Sequence, residues 1–251
     1  MDEKAIAVTS VRPRRRRNLC AQVVEELGCR IVSGELNDET PFPKEADLER
    51  EFDVSRSVIR EAIKSLAAKG MLESRTRTGI RALPATHWNL FDAEVLSWRR
   101  AVLPPGQFFG ELFEVRLMIE PRAAALAAER ATAEDLAHLK DAFEAMVHAN
   151  QANSLGVEAD LRFHQSILAA SKNQLLLQIG NIIGVGLLIS HRFDPESFSI
   201  FLPMHQTVMT HIDQRDPAAA GKAMEQLLRE TLVHMKRYFP KTPEYSYLNS
   251  A

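Results

Sequence analysis

From Gln107 to Tyr238 the sequence repeats apolar residues, mostly leucine and alanine, at intervals of three and four, and shows no period-two alternation. That pattern admits helices and excludes a sheet. The periodic segments run 107–130, 133–151, 156–171, 174–192, 198–214 and 217–238, and the gaps between them hold Asn, Gly, Pro or Asp. Helices joined by gaps this short predict an antiparallel bundle. Glu120 and Pro121 fall inside the first segment and predict a kink there, because proline gives up a backbone N–H.

The chain before this stretch reads differently. Residues 1–17 lack periodicity and end in the run Arg14 to Arg17, so they read as a disordered basic arm, either a solvated tail or a source of phosphate contacts. Leu19, Val23, Leu27 and Ile31 mark a first helix, and Gly34 stops it. A loop with two prolines, "NDETPFPKE", leads to a short helix from Glu45 to Phe52 and a tight turn at Asp53 and Val54. The third helix lies in "SRSVIREAIKSLAAKG". Ser55 is placed to cap it through its hydroxyl, and Gly70 supplies the positive φ that ends it. Ile59, Ala62, Ile63 and Leu66 must face a core. "MLESR" and "GIRAL", joined by "TRTG", form a hairpin. The expected fold is therefore mostly α: a winged helix-turn-helix at 18–84, a linker at 85–105, an all-α antiparallel helical bundle at 106–240 and a tail at 241–251.

Net charge is −2 but unevenly spread. From Val54 to Ala85 there are seven basic and two acidic residues, which points to a polyanion partner for that region alone. A helix-turn-helix lays its second helix in the major groove of DNA. Arg56 and Arg60, one turn apart, are placed for bidentate bonds to guanine, with Lys64 on the same face. Ser55 and Ser57 suit phosphate at the positive helix end, while Arg75 and Arg77 sit at the wing. No apolar run approaches the roughly 20 residues that span a bilayer, and the basic N-terminus lacks an apolar signal core, so the expected location is cytoplasmic. Cys20 and Cys29 fall on opposite faces of a helix, which favours free thiols.

Within the helical stretch, Asp160 and His164 share one helical face, and with His205 they make an oxygen and two imidazoles. That set suits a borderline divalent ion such as Zn²⁺, and equally a polar interior of hydrogen-bonded histidines. Arg116 stands between Val115 and Leu117, where burying it requires an anion, either Glu111 or Glu120 of its own helix or a ligand carboxylate. Arg192 is a further cationic candidate. A metal-dependent enzyme tethered to DNA is the alternative class; against it stand the lack of a nucleophile–base pair, of a glycine-rich phosphate loop and of a full ligand set.

"VSRSVIREAIKSLAAKGML" resembles the recognition segment of the GntR family of bacterial repressors, and "PFPKEADLEREFDVS" resembles the segment before it. Ala46 stands where many members carry a DNA-contacting arginine, and Arg77 replaces the usual wing-tip glycine. "LFEVRLMIEPRAAALAAERAT", "ADLRFHQSILAASKNQLL" and "PMHQTVMTHIDQRDPAAAGKAM" resemble the all-helical effector (FCD) domain of the FadR-type branch, and "THWNLFDAEVLSW" is similar to the linker of galactonate-responsive repressors. The resemblance implies that the bundle binds an effector and dimerises. It further implies that Arg56, Ser57 and Arg60 contact DNA, that Arg116 faces a ligand cavity, and that Asp160, His164 and His205 hold a metal, with a fourth ligand position occupied here by Leu227. The expected protein is a homodimer on double-stranded operator DNA, a repressor of a sugar-acid catabolic operon released by a galactonate-like aldonate or another small carboxylic acid.

Overall fold

The computed structural model describes residues 17–75, 79–151, 156–194 and 197–238. The basic arm and the C-terminal tail lie outside these residues. The chain divides into two compact units, Met1–Asn89 and Leu90–Ala251.

The first unit holds α1 (Arg17–Val32), α2 (Glu45–Phe52), α3 (Arg56–Ala68), β1 (Leu72–Arg75) and β2 (Gly79–Ala82). Val23, Leu27 and Ile31 of α1 bury against α3, whose Ile59, Ala62, Ile63 and Leu66 form the facing stripe. Leu19, expected in that stripe, is exposed. The two strands pair antiparallel, with Leu72 opposite Ala82 and Arg75 opposite Gly79, which makes the hairpin. Asp53 ends α2 at φ 50°, a left-handed conformation that aspartate tolerates. Ser55 sits at the expected N-cap but does not cap through its side chain; its hydroxyl bonds that of Ser57 at 2.9 Å instead. Gly70 ends α3 at φ 73°, and a Cβ there would lie 2.2 Å from the His87 carbonyl oxygen. The chain after β2 thus turns back onto the end of α3. The Asn89 amide donates to the Lys69 carbonyl at 2.8 Å, and the Trp88 indole N–H donates to the Leu83 carbonyl at 2.7 Å.

The second unit begins with α4 (Ala93–Val102), where the sequence reading placed only linker. Asp92 caps it, accepting from the amides of Glu94 and Val95, and Val95, Leu96 and Trp98 are buried. This short amphipathic helix lacks the length that made the later ones evident. Then follow α5 (Pro105–Arg130), α6 (Ala133–Gln151), α7 (Val157–Ala170), α8 (Gln174–Gln178), α9 (Gly180–Phe193), α10 (Ser197–Asp213) and α11 (Pro217–Met235). The segment read as one helix from 174 to 192 is two, divided at Ile179, where Gly180 lowers the cost of leaving the first.

The helix α5 runs through Pro121, so the Leu117 carbonyl receives no helical amide there. It packs antiparallel to α11 along a seam of small residues: Ala123, Ala124, Ala127 and Ala128 are buried, and a Cβ on Gly221 would meet the Pro121 carbonyl oxygen at 3.1 Å. A larger side chain at Gly221 would push the two longest-contacting helices apart. Phe109, Phe113, Phe163, Leu139 and Met146 fill the centre of the bundle. Among the described residues, no helix is long and apolar enough to cross a membrane.

Candidate functional site

On the first unit, the outward face of α3 presents Arg56, Arg60 and Lys64 with side chains 68%, 61% and 74% exposed. Glu45, in the first turn of α2, reaches both arginines, with its carboxylate 3.0 Å from Arg56 Nε and 3.9 Å from Arg60 Nε. An exposed pair of this kind contributes about 0–1 kcal/mol, whereas an arginine fork on guanine contributes about 1–3 kcal/mol. Glu45 therefore holds the two guanidinium groups only weakly and leaves them on the exposed face. Sequence reasoning missed Glu45, whose role depends on a contact across the turn. On the hairpin, Arg81 pairs with Glu73 across the strands. Arg75 stands at the end of β1, and Arg77 lies outside the described residues.

On the second unit, five helices converge on a cavity with about 30 Å³ of free volume, lined by Arg116, Asp160, His164, Leu187, Ser190, Phe201, His205, Leu227, Leu228 and Thr231. Arg116, Asp160, His164 and His205 are thus brought together and are all buried. Arg192 is on the last turn of α9, its side chain outside the described ones. The guanidinium of Arg116 lies 4.8 Å from the Phe113 ring centre and donates from Nε to Glu120 at 2.5 Å. Glu111 pairs with Arg99 instead. Of the partners open to Arg116 from its sequence, the structure shows Glu120, one turn along the same helix.

Glu120 serves two cations. Its other oxygen stands 2.5 Å from His164 Nδ1, close but off the line of a hydrogen bond. Burial pushes the Glu120 carboxyl up, but Arg116 and His164 outweigh it and hold it below the usual range at about 2. Burial likewise pushes His164 down, and Glu120 with Asp160 outweighs that, raising it to about 9. His164 Nε2 faces the cavity, 3.4 Å from Asp160 Oδ1 and 3.5 Å from Arg116 Nη2. His205 Nε2 lies 3.2 Å from the same carboxylate oxygen, and its Nδ1 is 2.8 Å from the Phe201 carbonyl.

These positions fit a divalent ion. Each imidazole turns Nε2 inward; His205 is held at Nδ1 by a backbone carbonyl, the outer support that metal-bound histidines use, and the Glu120 carboxylate stands close to Nδ1 of His164. One ligand atom each from Asp160, His164 and His205 lies within 4.8 Å of the others. Leu227, 1% exposed, gives an apolar wall where a fourth ligand would stand.

The model of bacterial regulatory proteins of the gntR family matches residues 19–81, and that of the FCD domain matches residues 111–230. The uncharacterised HTH-type transcriptional regulator YieP of Escherichia coli K12 is 34% identical over 85% of this chain and 94% of its own length. The galactonate operon transcriptional repressor of the same organism is 32% identical over 87% of this chain and 97% of its own. The solved structure of Lar, which controls expression of the Listeria monocytogenes agr system, superposes with a TM-score of 0.63 at 21% identity, covering 87% of this chain and 97% of that one, and shows the common fold. The enzyme alternative falls with these matches. Its two domain types, its exposed arginine face and its buried polar cavity place the chain in the gntR family, in the branch that carries an FCD domain, as a DNA-binding transcription regulator.

Proposed function

We propose that the chain is a homodimeric repressor of a sugar-acid catabolic operon, released from its operator when a galactonate-like aldonate binds the cavity of the second unit. Arg56, Ser57, Arg60 and Lys64 read and hold the operator, and two copies read half-sites about one DNA turn apart. Asp160, His164 and His205 hold a divalent ion such as Zn²⁺, which supplies a Lewis-acid contact for ligand oxygens. The observation that carries the reading is the charge of the buried cluster. With His164 protonated, the cluster of Arg116, Glu120, Asp160 and His164 is neutral and has no call for an anion. With a divalent ion in place and His164 neutral, one positive charge is left over, and one ligand carboxylate cancels it.

Similarity to the galactonate operon repressor supports an aldonate. The free volume, about 30 Å³, is small beside a sugar acid. Binding must therefore displace lining side chains such as Leu187, Phe201 and Leu228, so ligand entry and conformational response are one event. The same small volume favours a second reading, in which the effector is a shorter carboxylic acid. The test is fluorescence anisotropy of the protein on DNA from its own promoter region, titrated with galactonate and with shorter hydroxy acids, before and after chelation. Release by galactonate that disappears on chelation, with DNA binding retained, is the expected result. Indifference to every acid in the zinc-loaded protein would overturn the proposal.

A further inference from the structure

The cavity does not stop at the charged cluster. Two helices carry its lining away from Arg116, and on both the next residue along that face is ionisable. On α9 the face reads Gly186, packed against Arg116 at 3.5 Å from an ideal Cβ, then Leu187 and Ser190 in the lining, then Asp194. On α11 it reads Leu227, Leu228 and Thr231, then His234. Asp194 and His234 meet each other, carboxylate oxygen to imidazole Nε2, and both side chains are 10% exposed. Phe201 ties the pair to the lining: its ring sits edge-on to His234 at 5.4 Å between centres, while its carbonyl holds His205.

We propose that Asp194 and His234, with Ser190 and Thr231 between them and the charged end, form a distal hydroxyl-binding subsite that sets the length of acid the regulator accepts. The inference rests on the carboxylate-effector reading above and deepens it. From Gly186 to Asp194 the helix rises about 12 Å, a span suited to an extended polyhydroxy acid held by its carboxylate at Arg116. The chemistry along the span is that of hydroxyl recognition. Ser190 and Thr231 each donate to a carbonyl of their own helix, at 3.2 and 2.8 Å, so their oxygens offer lone pairs to ligand hydroxyls. Beyond them stand a carboxylate that accepts and an imidazole that both donates and accepts. Their mutual contact lies one helical turn beyond Ser190 and Thr231, and a ligand hydroxyl that inserts between them replaces one hydrogen bond with two. An apolar or short ligand offers nothing in exchange and leaves the pair shut.

The test is calorimetric titration of the zinc-loaded full-length protein with glycerate, threonate and galactonate, a series of increasing chain length. The preference for galactonate over glycerate should fall by about 10-fold or more in Asp194→Asn, the worth of a hydrogen bond to a charged group, and by roughly 2- to 10-fold in Thr231→Val, that of a neutral one. Thr231→Val keeps the side-chain shape and leaves the Asp194 contact in place, so it reports even where the first variant folds poorly. An unchanged preference in both variants, or an equal loss for all the acids, would overturn the subsite while leaving the effector reading intact. Failure of every acid to bind the native protein would overturn both.

Discussion

Single residues decide what each site can bind. Arg60 is exposed and, among the described residues, pairs through a long contact to Glu45, so its removal should cost the fold little. Arg60→Ala is expected to weaken operator binding by about 1–3 kcal/mol, roughly 5- to 150-fold, with the melting temperature nearly unchanged. Anisotropy on specific and scrambled duplexes checks this, and undiminished discrimination would count against the assignment of α3. Leu227 makes the opposite kind of prediction. Leu227→His would place an imidazole in the cavity wall opposite Asp160, His164 and His205. In chelator it should melt below the native protein, since a polar group then replaces a buried leucine. With zinc in excess it should gain more than the native protein does; a site filled to 100 times its dissociation constant adds about 2.7 kcal/mol. Calorimetric melts with and without zinc would show whether that order holds.

At the level of elements, what was legible followed from length and pattern. The basic third helix and the hairpin were evident because the apolar period, a glycine stop and turn residues all agreed, and the two strands pair in the structure, although Ser55 does not supply the expected side-chain cap. The short α4 was read as linker because ten residues carry too few repeats to stand out. The turn from α7 into α8 is held by a contact that no periodicity predicts. Asp135, at the start of α6, accepts from the Thr132 amide at 2.7 Å and from the Lys172 ammonium at 2.5 Å, where Lys172 itself sits at φ 55°. Burial raises the Asp135 carboxyl, but Lys172 and Thr132 outweigh this and bring it down to about 2. A lowered carboxylate contributes stability above its unfolded value, near 4, and loses it as pH falls toward 2. Asp135→Asn should therefore melt lower than the native protein at pH 7, and the gap should close as the pH falls below 4. A gap that persisted at low pH would contradict this.

At the scale of the whole molecule, the cavity was only half legible. The i, i+4 spacing brought Asp160 and His164 onto one face, but sequence alone left open whether Arg116 met Glu111, Glu120 or a ligand, because each lies within reach along one helix. What the spacing could not give was the role of Glu120 as shared partner of Arg116 and His164, or the approach of Asp194 to His234 from segments far apart in the chain. Contacts of that kind depend on how α7, α9, α10 and α11 pack around α5. Each of the two units has its own buried core, so heating should separate them. A saturating acid should raise the transition of the second unit while leaving that of the first in place. Scanning calorimetry resolves the two, and an equal shift of both would show them melting as one.

The free space beside Arg116 is about 30 Å³, so an acid that settles there as proposed must push wall side chains aside on arrival. Its measured affinity then understates the strength of its contacts, and the withheld part is what the proposed release from DNA would draw on. A ligand that slipped in without strain would bind more tightly and signal less.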